Sequence, residues 1–474
     1  MSLHSMLRGL ISSAIKPRRH LLHKNCIQRS LQDGCHKNLQ RNVRLVSSYK
    51  GAPSPVHHNV KRQHFGVSTL DASSDPANAT NAQLEMDSQS NSLQISWSDG
   101  FRSRYHSIWL RNHCQCASCK QLHSGQKLIE QHDIPRPCTL KSTQIQDGTH
   151  LQISWKETAH EGLISLEFLR ENSYGNDAID AAAGLRDNVF FKGPIEEFDY
   201  KDISSCKKSF FRWLQCLDVY GIALVMNVPT ELRQVAKVAE LIAPVQNTLY
   251  GEEIFDVVAT DEPINVAYST APLGYHMDLM YYESPPGLQL LHCLRFDDSA
   301  HGGESLFLDV FHSATEFRRQ YPHHFDTLTR VPVTFHKNHF ERERPAAYMY
   351  QRPHITVNPQ GQMTSVAWSP PFEGPLKVRE EDVEPYYEAY HTFAAVLENS
   401  PIQVEHRMRT GQCIIFNNRR ILHARRKFTL HNGEQRHYQG CYVNIDDFRN
   451  SVQVAYIQHG REDLAKRNGN QCWL

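Results

Sequence analysis

The chain has 474 residues, more than one hydrophobic core usually organises, so at least two folded domains are expected. Its 51 basic and 51 acidic residues cancel, and this balance indicates no nucleic-acid partner. No apolar run approaches the ~20 residues that a membrane helix needs, so no membrane partner is expected either.

Basic residues, Ser and Leu are frequent in the first 48 positions, where Asp33 is the single acid. The segment MLRGLISSAIKPRRHLLHK can form a basic amphipathic helix, which is typical of a mitochondrial transit peptide. We therefore predict a transit peptide over residues 1–48 and a mitochondrial protein; the alternative is a disordered basic tail on a cytoplasmic protein. Residues 49–90 are rich in Ser, Asn, Asp, Pro and Ala without a hydrophobic period, and they are predicted to form a disordered linker.

Regular patterning begins with the five residues LQISW at positions 93–97, which alternate apolar and polar side chains as a strand does. The same five residues return at positions 151–155. We interpret the two copies as similar strands of one small sheet, in a β-rich N-terminal domain over residues 91–185.

A second domain is predicted over residues 190–465. Helical patterns occur before GIALVMNV, in PTELRQVAKVAELIAPV, near Glu380–Glu398 and after Asp447. Between them lie many short strand-like runs with Gly and Pro punctuation, which is typical of a barrel or double-sheet jelly roll. The predicted fold is mainly β with flanking helices: a double-stranded β-helix (jelly roll) and the smaller β-rich domain.

A metal site is predicted at GYHMDLMYY. His276 and Asp278 are two residues apart, so on an extended segment both side chains face the same way. A second histidine would complete the two-histidine, one-carboxylate triad of non-haem iron oxygenases. A second His-x-Asp, at His324 and Asp326, lies in a charged stretch that reads as a surface helix, where the two side chains would diverge.

Two later residues support the first motif. His423 follows a strand-like run in FNNRRILHARRKF, and Arg436 comes thirteen residues later. A hairpin of that length could return Arg436 beside His423. Its guanidinium could then pair with a carboxylate such as the tail of 2-oxoglutarate. For either residue alone, a core histidine or a surface ion pair would be the better interpretation.

In this order the motifs resemble those of the γ-butyrobetaine/trimethyllysine dioxygenase family, within the taurine-dioxygenase-like superfamily. The segments NVAYST, PPGLQLLHC and EGLISLEFLREN support the resemblance, which spans about residues 91–460. It implies iron(II) bound by His276, Asp278 and His423, 2-oxoglutarate bound by Arg436, dioxygen as oxidant and ascorbate as reductant. The family usually has Asp-Asn-Trp before the second histidine and Gly after it; here Asn417, Asn418 and Arg419 precede it, and Ala424 follows.

An aromatic cage is expected for a trimethylammonium substrate. A quaternary ammonium has no N–H group, so aromatic faces are its suitable partners. Tyr442 lies six residues after Arg436, and on a strand that even spacing keeps both on one face. The resemblance implies a cage at Tyr250, Phe255, Tyr268 and Tyr442, with Phe255 where the family has Trp.

The carboxylate end of the substrate separates two specificities. Asn265 matches an asparagine of the butyrobetaine enzymes, where the trimethyllysine enzymes are expected to carry an acid. A second carboxylate-binding asparagine of the family falls near Ser369, whose hydroxyl reaches less far. We therefore expect γ-butyrobetaine, with trimethyllysine as the alternative.

Three cysteines, Cys114, Cys116 and Cys119, could supply three thiolates of a tetrahedral zinc site. His113 is sterically awkward as a fourth ligand, and His123 is possible. The resemblance implies His160 as the fourth ligand, with a structural zinc ion that helps a homodimer interface.

Other classes of function would show other features. A protein hydroxylase would need an open groove for a chain, and no peptide-reading segment stands out. A non-catalytic, zinc-containing interaction protein would be expected to lack at least one of the four core residues, and all four are present. A sulfonate or amino-acid oxygenase would not need the cage aromatics.

Overall fold

A computed structural model describes residues 82–175, 189–251, 253–259, 266–341, 344–359, 361–431, 433–461 and 464. The predicted transit peptide, the linker up to residue 81 and Asn265 lie outside these residues. Among the described residues, no helix has both the length and the apolar character that a bilayer span requires.

The β-rich region consists of two three-stranded antiparallel sheets. Its elements are β1 (Ala82–Asp87), β2 (Ser92–Trp97), β3 (Arg102–His106), α1 (Ser107–Asn112), β4 (Leu140–Gln146), β5 (His150–Trp155), β6 (Glu161–Ser165) and α2 (Leu166–Glu171). The strand orders are β1-β2-β3 and β4-β5-β6.

Two predictions for this region need correction. The two LQISW segments are the central strands of separate sheets, because each already pairs on both sides with its own sequence neighbours. What they share is one core, which takes the alternate residues Leu93, Ile95, Leu151 and Ile153. The predicted linker also extends too far, since residues 82–87 form β1 against β2.

The described residues of the second region form sixteen further strands. They are β7 (Glu197–Asp199), β8 (Ile222–Met226), β9 (Phe255–Val258), β10 (Leu273–His276), β11 (Leu288–Phe296), β12 (His301–Gly302), β13 (Ser305–Asp309), β14 (Pro332–His339), β15 (Ala346–Pro353), β16 (Ile355–Val357), β17 (Met363–Val366), β18 (Val404–His406), β19 (Cys413–Asn417), β20 (Ile421–Arg425), β21 (Phe428–Thr429) and β22 (Arg436–Val443). Three two-stranded sheets join β12 to β21, β14 to β15 and β16 to β17.

Two large sheets form the jelly roll, with the orders β7-β8-β19-β11-β22-β9 and β10-β20-β13-β18. They pack face to face through a shared core, where the rings of Phe307 on β13 and Phe416 on β19 lie 5.5 Å apart. Alternation along β19 explains why the six-stranded sheet is buried on both faces. Ile414 and Phe416 enter the core between the sheets, whereas Cys413 and Ile415 enter a core on the opposite face.

Helices cover the outside of this region. They are α3 (Tyr200–Ser205), α4 (Lys207–Tyr220), α5 (Gln234–Glu240), α6 (Val310–Gln320), α7 (Pro322–Arg330), α8 (Glu380–Glu398) and α9 (Ile445–Gln458). Trp213 of α4, Val238 of α5 and Phe448 of α9 bury apolar side chains against the outer face of the six-stranded sheet. Phe317 of α6 and Phe393 of α8 belong to a separate core beside the four-stranded sheet.

The strands β20 and β22 do not form the predicted hairpin. β20 pairs with β10 and β13, whereas β22 pairs with β11 and β9 in the other sheet. His423 and Arg436 therefore lie on different sheets of the jelly roll, and the intervening segment crosses between the sheets.

Candidate functional site

Three predicted metal ligands meet between β10 and β20. His276, the last residue of β10, is the antiparallel partner of His423 on β20, and Asp278 follows two residues later. Nε2 of His276 lies 3.6 Å from Oδ1 of Asp278, and Nε2 of His423 lies 3.9 Å from Oδ2. The possible ligand atoms all lie within 4.8 Å of one another, so the three side chains could hold one metal ion.

The electrostatics of this cluster suit a cation. Burial and the neighbouring His276 lower the pKa of His423 to about 3, so its imidazole is neutral and able to ligate. Burial opposes the charge of Asp278, but hydrogen bonding and the two nearby histidines hold the pKa of that carboxyl below its usual range. Within the described residues no Lys or Arg pairs with this carboxylate, whose side chain is 14% exposed. A bound cation would compensate its charge.

Asn418 joins the two ligand-bearing segments. Its side-chain oxygen accepts a hydrogen bond of 2.8 Å from the backbone N–H of Asp278, and its amide donates to the backbone carbonyl of Asp278 at 2.9 Å. Asn418 is fully buried, and the next residue after Asp278, Leu279, has a positive φ of 60°. The clamp thus holds a strained turn beside the metal-ligand cluster. A spacing of 140 residues gives no local signal for this contact.

An open cavity lies beside the cluster; the space between its walls, including part of the solvent at its mouth, is about 450 Å³. His276 and Asp278 form part of its wall, and the other lining residues are Tyr250, Phe255, Val257, Val266, Ala267, Tyr268, Leu273, Pro371, Phe372 and Tyr442. All four predicted cage aromatics therefore face one space. Pro371 and Phe372 were not predicted, because they follow the ligand motif by more than ninety residues in a short 3₁₀ turn without a recognisable pattern.

The aromatic wall is internally supported. Phe255 stacks on Tyr442 with ring centroids 5.2 Å apart, and Tyr250 lies 5.9 Å from Phe255. The hydroxyls of Tyr250 and Tyr281 share a hydrogen bond of 3.0 Å, and Tyr281 is itself buried. Tyr281 thus backs the wall from behind, a role that sequence analysis missed.

Ser369 does not line this cavity. It is fully buried, and its hydroxyl donates a hydrogen bond of 2.8 Å to the backbone carbonyl of Met277. The prediction that Ser369 contacts the substrate is therefore wrong: the short side chain supports the segment between the two ligands instead. Asn265, the other predicted carboxylate contact, lies outside the described residues.

Arg436 is a buried cation surrounded by aromatic rings. Only 5% of the residue is exposed, and its guanidinium carbon lies 3.9 Å from the ring centroid of Tyr438 and 5.1 Å from that of Phe428. Its Nε has no hydrogen-bond partner. Because a buried guanidinium with an unsatisfied N–H group is costly, this site is suited to an anion.

The predicted zinc ligands also meet. Nε2 of His160 lies 3.4, 3.8 and 3.5 Å from the sulfur atoms of Cys114, Cys116 and Cys119. These four ligand atoms lie within 4.8 Å of one another and could hold a metal ion. Neither His113 nor His123 belongs to this cysteine–histidine cluster.

The second His-x-Asp motif lies elsewhere, in the second region. His324 and Asp326 are on α7, outside the cluster of His276, Asp278 and His423.

Comparison with known proteins agrees with the fold. Residues 187–442 match the family model described as taurine catabolism dioxygenase TauD, TfdA family. Residues 84–170 match the model described as gamma-butyrobetaine hydroxylase-like, N-terminal.

Curated relatives cover most of the chain. Dioxygenase str8 of Strobilurus tenacellus is 30% identical over 364 residues, covering 72% of this chain and 83% of the relative. Gamma-butyrobetaine dioxygenase of Pseudomonas sp. (strain AK-1) is 27% identical over 365 residues, covering 76% of this chain and 93% of the relative. Trimethyllysine dioxygenase of Meyerozyma guilliermondii is 25% identical over 392 residues, covering 78% of this chain and 95% of the relative.

The jelly roll and these matches define the class of protein as an iron(II)- and 2-oxoglutarate-dependent oxygenase. The chain belongs to the TauD, TfdA dioxygenase family, and its N-terminal region is of the gamma-butyrobetaine hydroxylase-like type.

Proposed function

We propose that the chain hydroxylates γ-butyrobetaine to L-carnitine, with iron(II) held by His276, Asp278 and His423. The three side chains converge, both imidazoles are close to one carboxylate, and among the described residues no Lys or Arg pairs with that carboxylate. Three protein ligands leave open positions for an oxoacid and dioxygen. When bound, iron(II) would support oxygen insertion into a C–H bond while 2-oxoglutarate is converted to succinate and carbon dioxide.

Arg436 is proposed to hold the far carboxylate of 2-oxoglutarate. Its buried guanidinium, whose Nε lacks a hydrogen-bond partner, supports this role, because a carboxylate can accept paired hydrogen bonds from a guanidinium. Ascorbate is proposed as the reductant that keeps the iron in the ferrous state.

The observation that carries the choice of substrate is the aromatic wall beside the metal-ligand cluster. Tyr250, Phe255, Tyr268 and Tyr442 face one cavity whose wall also contains His276 and Asp278. A trimethylammonium group fits such a wall, because ring faces attract a cation that cannot donate hydrogen bonds. Seating that group would fix which carbon of the chain is presented to the metal.

Trimethyllysine is the second candidate, because it has the same headgroup and carries an α-ammonium at its other end. Relatives named for each substrate match the chain over similar lengths. Asn265 favours γ-butyrobetaine, since an amide does not neutralise an α-ammonium as an acidic residue would.

A neutral isostere tests the cage. 5,5-Dimethylhexanoate replaces the quaternary nitrogen of γ-butyrobetaine by carbon and keeps its shape. We expect γ-butyrobetaine to have a KM at least about tenfold lower than that of the isostere, because only the cation gains from the ring faces. Equal KM values would contradict the cage, and preferred turnover of trimethyllysine would favour the second candidate.

We also propose that Cys114, Cys116, Cys119 and His160 hold a structural zinc ion, which four convergent ligand atoms support. The mitochondrial location and the homodimer stay predictions from the sequence.

A further inference from the structure

Arg425 ties a loop of the cavity wall to the strand that carries His423. Its guanidinium donates hydrogen bonds of 2.8, 2.7 and 2.8 Å to the backbone carbonyls of Ala267, Ser269 and Ala271. Because Arg425 follows His423 by two residues on β20, both side chains point to the same face of the sheet. One side chain therefore spans from the metal-ligand strand to residues 266–271, which we call the pocket loop.

The pocket loop supplies one wall of the substrate cavity. Val266, Ala267 and Tyr268 all line it. The loop is also largely exposed, since Val266, Thr270 and Ala271 are exposed residues. An exposed loop depends on its few buried anchors for a defined position. Arg425, only 6% exposed, is such an anchor.

The same guanidinium lies close to the proposed co-substrate site. The ring of Phe428 contacts both cations, with the guanidinium carbons of Arg425 and Arg436 at 4.9 and 5.1 Å from its centroid. The hydrogen bonds of Arg425 go to backbone carbonyls, and within the described residues neither arginine forms an ion pair with a carboxylate. Two buried cations around one ring repel each other until an anion arrives.

We propose that Arg425 couples 2-oxoglutarate binding to the position of the pocket loop, and so prepares the cavity for the trimethylammonium substrate. This rests on the proposed function. A carboxylate beside Arg436 reduces the repulsion on Arg425, which then holds its three carbonyl acceptors more firmly. By reciprocity, a substrate seated against the pocket loop tightens the binding of 2-oxoglutarate by the same factor. Arg425 is thus a positioning residue that links two ligands.

Arg425→Lys separates this role from simple charge. Lysine keeps the positive charge, but a single ammonium cannot replace a planar fork that reaches three carbonyls. Arg426→Lys is the matched control, because Arg426 is the next residue, exposed, and paired with Glu405 at 2.8 Å. Each iron(II)-loaded protein is titrated anaerobically with γ-butyrobetaine in a calorimeter, with and without 2-oxoglutarate. Hydrogen exchange of residues 266–271 is followed under the same conditions.

In the wild type and in Arg426→Lys we expect 2-oxoglutarate to lower the Kd of γ-butyrobetaine at least about fivefold and to slow exchange in the pocket loop. In Arg425→Lys the Kd of 2-oxoglutarate alone should change less than about threefold. The factor by which 2-oxoglutarate lowers the Kd of γ-butyrobetaine should fall to about one in this variant. Equal coupling in both variants would overturn the proposal.

The wild type alone also tests the proposal, should the variant fail to fold. Exchange in residues 266–271 that is unaffected by 2-oxoglutarate would overturn the coupling, even if γ-butyrobetaine binds and is hydroxylated. Absence of γ-butyrobetaine binding under every condition would overturn the proposed function and the coupling together.

Discussion

The hydroxyl of Tyr442 donates a hydrogen bond of 2.8 Å to Oδ2 of Asp278, so one residue is both a wall of the cavity and a support for a proposed iron ligand. Its ring also stacks on Phe255. The aromatic wall and the metal-ligand cluster are therefore joined by a direct contact, which would hold the carboxylate in one orientation.

Tyr442→Phe removes this hydrogen bond and keeps the ring. We expect iron(II) to bind about tenfold more weakly, as is usual when a group that orients a metal ligand is lost, whereas the KM for substrate changes little. Anaerobic titration with iron(II) measures the metal affinity, and steady-state kinetics measure the KM. Tyr250→Phe is the control, because that hydroxyl pairs with Tyr281. Wild-type iron affinity in Tyr442→Phe would show that the hydrogen bond is dispensable.

Gly440→Ala should distort the aromatic wall. Gly440 on β22 lies directly opposite Phe255 on β9, and a methyl group there would come within 2.6 Å of Cε2 of Phe255. The ring must then move toward the cavity, so we expect the KM for substrate to rise about tenfold and stability to fall by about 1–3 kcal/mol.

The double variant Gly440→Ala/Phe255→Leu tests this cause. A smaller side chain at position 255 relieves the contact, so thermal unfolding should show that the two substitutions destabilise less together than the sum of their separate effects. Additive losses of stability would mean that Gly440 acts through another neighbour, such as Leu291.

Cys119→Ser should release the proposed zinc ion. Metal analysis is expected to find about one zinc per chain in the wild type and far less in the variant, with a lower unfolding temperature for the β-rich region. Cys138→Ala is the matched control, because Cys138 is buried in the same region but lies outside the cluster. Equal zinc content in the two variants would contradict the four-ligand site.

Glu373 should make stability depend on pH. Burial raises the pKa of this carboxyl from 4.5 to about 7, against a hydrogen bond with Tyr390 that lowers it. Below about pH 4.5 the carboxyl is protonated in both states. Between about pH 4.5 and 7 the carboxyl ionises in the unfolded chain before it ionises in the native protein, so the free energy of unfolding decreases as the pH rises. Above about pH 7 the carboxyl is ionised in both states, and the free energy of unfolding does not decrease further.

Glu373→Gln removes that titration. As the pH rises from 4 to 8, the free energy of unfolding of the variant should therefore increase by about 2 kcal/mol relative to that of the wild type. Denaturant unfolding at both values measures the change. Glu381→Gln, an exposed position on α8, should show no such gain. Parallel pH profiles for Glu373→Gln and the wild type would disprove the assignment.

Local patterns predicted the elements whose signal lies within a few residues. The helix at Glu380–Glu398 was expected from its spacing of apolar residues, and the structure has that helix. The position of the His-x-Asp pair was predictable for the same reason, because the extended end of β10 brings His276 and Asp278 to one side. The second copy, His324 and Asp326, is helical as expected.

Contacts between distant segments were not predictable in this way. A spacing of thirteen residues from His423 to Arg436 allows a hairpin or a crossover between sheets, and only competition among all strands for partners decides between them. The clamp from Asn418 to Asp278 and the wall at Phe372 depend on that topology. They leave no period or motif in the sequence.

The most direct measurement of the central claim is the product formed from γ-butyrobetaine. The purified chain is incubated with iron(II), 2-oxoglutarate, ascorbate and dioxygen, separately with γ-butyrobetaine and with trimethyllysine, and products are identified by mass spectrometry. We predict that L-carnitine and succinate form from γ-butyrobetaine in equal amounts, and that Asp278→Ala abolishes both. Succinate without a hydroxylated product from γ-butyrobetaine would contradict the proposed function.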